Sequence, residues 1–519
     1  MSSPTPAVTQ SPTSTRPGQR GRTASRQASA AAAVLSGNWP AAVLLAAGLI
    51  LRVLAQVAYR PVLFYIDTSR YLFNVAPGMD PLGYKGVLRG ILAVANLDAV
   101  ATIQHVLGLA IAVVIYLLLR RRGCGRWLAA LAIAPVLLDA YQIQIEQTLM
   151  PDVWFEALIV AGIAILLWRQ DATWRRVAAA GVVLGTSATV AQVGEALLLP
   201  AVIYLLALGG GWRLAAGRAV LLCGAFAAPI LAYFTGSYLL SGNFFLSHTG
   251  VTSFYGRAAA AADCATIKLP AVERAMCPAR WQQARGPDWL EYNRRSPIRP
   301  YYNNQPPALT DSEISDFNQR VLAQQPLRLL SAYGHDLGKL FAWPRAQDAG
   351  DTPISRWQFR RTYPFFPHAH RPLIGHAIQL YGGGRPAVWR PAAAFLRSYQ
   401  LDGGYTPGPL FAFFALAGVA GSAILLRRGR GPRTRELALA CLLFTASAVS
   451  VLLVSDLFEF SWRYQLPALV TLAPGGALGV AAISTRRAAA ARTSSGPAAS
   501  LPAKSPSSPD GRTGSGQAD

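Results

Sequence analysis

An acidic residue in an aromatic setting, Tyr65-Ile66-Asp67-Thr68-Ser69-Arg70-Tyr71, follows directly on the first long apolar run of the chain. A carboxylate at the edge of hydrocarbon costs free energy unless it is paired or used. A second acidic segment, Glu146-Gln147-Thr148-Leu149-Met150-Pro151-Asp152, again separates two apolar runs. The last apolar run opens on a basic one, Phe460-Ser461-Trp462-Arg463-Tyr464-Gln465-Leu466-Pro467. Asp67, Glu146 and Asp152 are therefore candidates to take a proton from a hydroxyl or to hold a divalent metal. Arg70, Lys85 and Arg463 are candidates for phosphate oxygens, arginine as a bidentate fork. Lys339 and His335 could act in the same way.

Each candidate has a structural alternative. Asp67 could cap a short interfacial helix, assisted by Thr68 and Ser69. Asp152 follows Pro151 at a helix start, where an acid complements the dipole. Glu195, Asp456 and Glu459 complete the acids near helix ends, and Glu195 reads as structural. Asp139 could share a helix face with Glu146 or line a polar seam. Arg52 falls inside the first apolar run, where a structural ion pair within the bundle is expected.

The elements that must carry these residues are membrane helices. The chain has 519 residues, 52% hydrophobic and 14% charged, with mean hydropathy +0.29. That is too apolar for an ordinary soluble protein. The net charge of +23 does not point to nucleic acid, because the basic residues sit in short clusters between apolar runs. Such clusters mark cytoplasmic loops. Motifs for ATP binding, paired-histidine zinc sites and nucleophile elbows are missing from the sequence.

A bilayer core takes roughly 20 apolar residues per helix. Ten candidates follow: 39–59, 100–119, 126–143, 151–168, 175–193, 195–208, 217–241, 406–426, 436–455 and 463–484. The fifth is rich in small residues (Gly181, Gly185, Thr186, Ser187, Thr189), which suits close packing in lipid. With both termini cytoplasmic, the arginine clusters at 120–126, 169–176, 213–218, 427–435 and 486–487 all fall inside. The acidic loops and the long segment 242–405 then fall outside. The expected plan is an all-α polytopic membrane protein of about ten helices with a large mixed extracytoplasmic domain. Residues 1–37 and 487–519 read as disordered cytoplasmic tails. Between them lie a first membrane part (38–241), the outer domain (242–405) and three last helices (406–486).

Within the outer domain Thr310 and Glu313 have capping-box spacing. Pro326 opens a segment with Leu327, Leu330, Tyr333, Leu337, Leu340 and Phe341 at helical spacing, a face expected to pack on the membrane domain. Cys264 and Cys277 share this domain. A disulfide and two free thiols are both open.

The chain resembles the polytopic GT-C glycosyltransferases. Among them it is similar to phospholipid-carrier-dependent enzymes related to protein O-mannosyltransferases and the lipid A aminoarabinose transferase. Three features carry the resemblance: Tyr65 to Tyr71 with the following Asp80-Pro81-Leu82-Gly83-Tyr84-Lys85, Glu146 to Asp152, and Trp462-Arg463-Tyr464 with Pro467. The first loop has one Asp where the class often has an adjacent acidic pair. The resemblance implies transfer of a sugar from a polyprenyl-phosphate donor to a hydroxyl on a glycan, glycolipid or protein, outside the plasma membrane of a bacterial cell. Asp67 would be the base, and Glu146 or Asp152 would orient the acceptor or a metal. Arg463 with Lys85 would bind the departing phosphate, with Arg70, Tyr84 and Tyr464 lining the donor site. Two rivals remain. An O-antigen ligase or polymerase would rely on loop residues such as His335 and Arg328. A lipid-carrier flippase would need polar residues deep in the helices.

Overall fold

The computed structural model describes residues 37–494 except 75–79, 243, 245, 248, 301–309, 349, 368 and 428–430. The predicted tail 1–37 thus lies outside the described residues up to position 36, as does 495–519. The helices, short turns aside, are α1 (Trp39–Ala58), α2 (Thr68–Phe73), α3 (Leu82–Leu92), α4 (Leu97–Arg121), α5 (Arg126–Leu138), α6 (Ala140–Glu146), α7 (Asp152–Leu167), α8 (Trp174–Val190), α9 (Leu198–Leu208) and α10 (Trp212–Ser241). The long segment, labelled the outer domain after the expectation above, adds α11 (Thr249–Ala261), α12 (Gly286–Tyr292), α13 (Asp311–Gln324), α14 (Pro326–Lys339), α15 (Arg371–Tyr381) and α16 (Arg390–Leu401). The chain returns through α17 (Gly408–Ala423), α18 (Pro432–Asp456) and α19 (Pro467–Ser494). The last helix runs past the predicted start of the C-terminal tail at 487.

The protein is a multi-pass membrane protein. Among the described residues six helices are long and apolar enough to cross a bilayer: Trp39–Ala58, Leu97–Arg121, Trp212–Leu240, Gly408–Leu426, Pro432–Asp456 and Pro467–Ala488. A seventh span results if α5 and α6, bent by 53°, are taken together. The bend has a local cause. Asp139 leaves the helix in an extended conformation and its carboxylate caps α6 by accepting from the Tyr141 N–H. The expectation of ten spans is not reached on length. α7 has 16 residues, about 24 Å at the usual rise, against a hydrocarbon core of roughly 30 Å. α8 has 17 residues, and the apolar stretch Gln192–Leu208 is shorter than a full span.

These short helices nonetheless join the same two ends of the bundle as the long ones. At one end Arg122 donates to the Leu167 carbonyl, Gln170 to Glu436, and Arg435 to the Ala207 and Leu208 carbonyls. This end gathers the arginine-rich loops. At the other end the first loop lies against the second, with Leu63 N–H on Gln147 O and Leu149 N–H on Leu63 O, both 2.9 Å. The small residues of α8 serve close packing on α10. A Cβ at Gly185 would run into the Phe226 carbonyl, and one at Gly181 into Leu222 and Ala225.

The outer domain has a small core of its own around Tyr255, Phe317, Ile314 and Leu290. Cys264 and Cys277 are joined as a disulfide beside it. Thr310 and Glu313 exchange the capping-box hydrogen bonds that their spacing predicts. In α14 the expected apolar face only partly docks. Tyr333 donates to the Leu453 carbonyl of α18 and Leu337 packs on the main core, but Leu327 and Leu330 are exposed. Leu340 is buried as expected, and the buried side also carries polar groups: Asp336 binds Arg257 (2.6 Å) and Lys339 (2.8 Å). Two tethers fix the domain to the acidic end. Tyr59–Arg60 (β1) pairs antiparallel with Ala387–Val388 (β2). Arg345 binds Asp139 at 2.6 Å beneath the rings of Tyr141, Tyr405 and Trp462.

Candidate active site

Backbone pairing of the two loops at the acidic end sets the distance between the first-loop and second-loop acids. Thr68 Oγ1 accepts from the Tyr65 N–H and donates to the Leu149 carbonyl, which locks the turn that carries Asp67. Asp67 stands at the N-cap of α2, yet its side chain makes no cap hydrogen bond. It accepts instead from Arg70 Nη2 (2.8 Å) and lies 3.5 Å from Arg463 Nη1. Asp152 begins α7, also without capping it, and accepts from Arg463 Nε at 2.7 Å. Its other oxygen, Oδ2, is buried with no hydrogen-bond partner among the described residues. Arg463 thus bridges the two carboxylates. It is held by the turn from Ser461 to Leu466, with Trp357 and Tyr464 rings 5.6 and 5.5 Å from its guanidinium carbon.

A wider shell surrounds this bridge. Arg70 also binds Asp80 at 2.5 Å, and Tyr71 donates to the same carboxylate. From the outer domain Arg356 donates to the Tyr65 hydroxyl (3.2 Å) and approaches Asp288 at 3.9 Å. Thr352 reaches Glu459 at 3.4 Å. Membrane loops and outer domain therefore meet around one acidic and aromatic cluster, the candidate cleft.

Burial raises the proton affinity of Asp67 above that of an ordinary carboxylate, against the pull of Arg70 and Arg463. Burial likewise lifts Glu459 well up, with Asp288 and Glu291 adding to it. Glu291 is pushed up to about 7 by burial. Arg463 holds its proton more firmly than usual; burial opposes this, but Asp152 together with Tyr464 and Tyr71 outweighs it. A carboxylate with raised proton affinity beside fixed cations suits proton abstraction. The guanidinium of Arg463 has five N–H donors; Nε and Nη1 are engaged, and donors remain for phosphate oxygens.

The other sequence candidates fall in different places. Glu146 is not in the cleft. Its side chain is sealed at 0% exposure and grips Arg52 through both oxygens at 2.7 and 2.8 Å, with His105 at 3.0 Å. A catalytic place for Glu146 is thereby corrected to a buried ion pair, and Arg52 has the structural partner expected of it. Tyr84 is a wall: its ring packs on Tyr71 and its hydroxyl donates to Gln104 at 3.0 Å. Lys85 is buried near Asp80 and Arg70, and burial lowers its pKa. Tyr464 stacks beside Arg463 in the cleft. His335 pairs with Asp348 and Arg328 with Asp263, both at exposed positions and neither bonded to the Asp67 cluster.

Asp80, Asp288, Arg356 and Trp357 were not picked from the sequence as site residues. Asp80 had a signal, standing in the loop that carries Tyr84 and Lys85. The other three come from the long domain, where no helix end or spacing singles them out. Among the described residues no group of three or more His, Cys, Asp or Glu is placed to hold a metal ion. The space between Asp67 and Asp152, where a bridging cation would sit, is taken by the Arg463 guanidinium. A divalent metal does not fit this arrangement.

No protein-family model and no curated protein matches the sequence. Among solved structures the chain is similar to an oligosaccharyltransferase from Archaeoglobus fulgidus tethered to an acceptor peptide, at 13% identity and TM-score 0.40, over 89% of this chain and 52% of that one. It is similar to ArnT from Cupriavidus metallidurans bound to undecaprenyl phosphate, at 15% identity and TM-score 0.31, over 90% and 81%. The S. cerevisiae protein O-mannosyltransferase Pmt1-Pmt2 complex, bound to its sugar donor, matches at 15% identity and TM-score 0.31, over 43% and 36%. The chain spans about a third of the mannosyltransferase chain and about half of the oligosaccharyltransferase.

Proposed function

We propose that the chain transfers a sugar from a polyprenyl-phosphate donor to an acceptor hydroxyl at the acidic end of the bundle, on the extracytoplasmic face of the plasma membrane. The reaction class comes from the sequence resemblance. The observation that supports it is the Arg463 bridge between Asp67 and Asp152, with a second arginine, Arg70, on Asp67.

Asp67 accepts the proton of the acceptor hydroxyl as that oxygen bonds to the anomeric carbon. The bond from this carbon to the donor phosphate oxygen breaks, and the polyprenyl phosphate keeps the electron pair. Arg463 and Arg70 receive the charge that develops there, the arrangement with most effect on such a step. Asp152, through its unpartnered Oδ2, accepts from a sugar or acceptor hydroxyl and fixes its orientation. The outer domain, through Arg356 and Trp357, closes the cleft over the acceptor.

The test is purified protein in lipid, a panel of radiolabelled polyprenyl-phosphate sugars, and an envelope fraction as acceptor. Wild type moves label and Asp67→Asn does not. Equal transfer by both proteins would remove Asp67 from the chemistry. Movement of the lipid across the bilayer without transfer would replace the enzyme reading with a flippase.

A further inference from the structure

At the opposite end of the bundle lies a cavity of about 380 Å³, within the range of small-ligand sites. α7 and α18 each have one end here and the other at the acidic end of the bundle: α7 runs from Asp152 to Leu167 and α18 ends at Asp456. Four guanidiniums line the cavity, those of Arg121, Arg122, Arg169 and Arg433, with the indole of Trp168. Against them stand two carboxylates, Asp171 and Glu436. Asp171 is taken by Arg176, which lies outside the lining.

The partners of these arginines differ from those in the cleft. Arg121 Nε donates to the Trp168 carbonyl at 2.7 Å, and Arg122 to the Leu167 and Arg169 carbonyls. A carbonyl orients a guanidinium without neutralising it. Arg121 and Arg122 are thus held in place by carbonyls, with no carboxylate among the described residues bonded to either guanidinium. Arg121 also lies 5.5 Å from the Trp168 ring, where an indole at a membrane boundary belongs. Gly123 adds to the construction. It has φ +86°, and a Cβ there would collide with the Arg433 guanidinium, so the bare backbone makes room for that side chain.

We infer that this cavity binds the phosphate of an anionic headgroup, presented by a lipid of the leaflet at that end. Arginine clusters between helix ends suit such headgroups, which meet a guanidinium with two oxygens at once. The site is separate from the cleft and carries no part of the transfer chemistry proposed above.

Native mass spectrometry tests it on the full chain from nanodiscs of phosphatidylcholine with phosphatidylglycerol. Wild type should retain phosphatidylglycerol over phosphatidylcholine by about tenfold, the worth of one good charge-assisted contact. Arg433→Gln and Arg169→Gln should lose that preference. Arg433→Lys should keep part of it, and Arg213→Gln, a charge removed outside the cavity, should keep it whole. Equal retention of the two lipids by wild type would overturn the inference, as would a preference that survives in both Gln variants. Inorganic phosphate is the second arm. Failure to displace the lipid supports a lipid-borne phosphate; full displacement at matched concentration overturns that source in favour of a free one.

Discussion

Glu146 and Asp152 stand six residues apart in one segment, and each meets an arginine from another part of the chain. The two pairs differ in what they leave over. Both oxygens of Glu146 are consumed by Arg52 and His105, and neither side chain of the ion pair is more than 1% exposed. Gln104, Gln142 and Gln147 satisfy the polar groups around it. At Asp152 one oxygen is held by Arg463, the other is unpartnered among the described residues, and the side chain is 13% exposed. A saturated pair can only hold helices together. An unsaturated one at a cleft has capacity left for a ligand. The deep trio Arg52, His105 and Glu146 therefore does not argue for transport here, since its members spend their bonds on one another.

Breaking the sealed pair should have the largest effect. Glu146→Ala leaves Arg52 buried without its counter-charge, at a cost of about 3–5 kcal/mol. Thermal unfolding in detergent should show that loss, and a double replacement, Arg52→Met with Glu146→Leu, should recover much of it. A Glu146→Ala protein as stable as wild type would dissolve the distinction between the two pairs.

The open pair should respond in turnover instead. Asp67→Asn should lower kcat about 10²–10⁴-fold, the usual worth of a general base, with the unfolding midpoint nearly unchanged. Loss of stability matching the loss of rate would make Asp67 another structural partner. Arg463→Gln should act more weakly, by roughly 10²-fold in kcat/KM for the lipid-phosphate donor, as expected for one charge-assisted contact to phosphate with some compensation from Arg70. A change confined to the acceptor would move Arg463 away from the donor.

The smallest effect sharpens the comparison through pH. Asp67 must be ionised to accept a proton, so kcat/KM should fall as pH drops through its raised pKa. Arg463 pulls that pKa down, so Arg463→Gln should shift the acid limb of the profile to higher pH. A shift toward lower pH, or none, would show that the limb belongs to another group.

How far the sequence carried depended on whether a residue was tied to a helix end. Asp67, Asp152 and Arg463 flank apolar runs, and their convergence could be foreseen from loops sharing one face. The capping box at Thr310 and the proline at 326 were equally local signals. Glu146 was misplaced because its neighbours in space, Arg52 and His105, lie on other helices, and only packing decides which way a carboxylate turns. Asp288 and Arg356 stayed hidden for a like reason: the fold of the long domain brings them to the cleft, and no periodicity records it. The span count is not reached by length because α7, α8 and the α9 segment, though apolar and running between the same two ends as the long helices, are shorter than a bilayer core.

The link between Cys264 and Cys277 has a use outside stability. Such a bond forms where oxidants prevail and is lost where cellular thiols reduce it. The remaining cysteines stay as thiols, Cys124 and Cys441 buried and Cys223 exposed. The pair is therefore a built-in sidedness label. A molecule threaded in the orientation proposed above keeps a closed ring that migrates differently with and without reductant. An inverted one leaves two thiols open to alkylation, so a gel lane sorts the two populations without any tag.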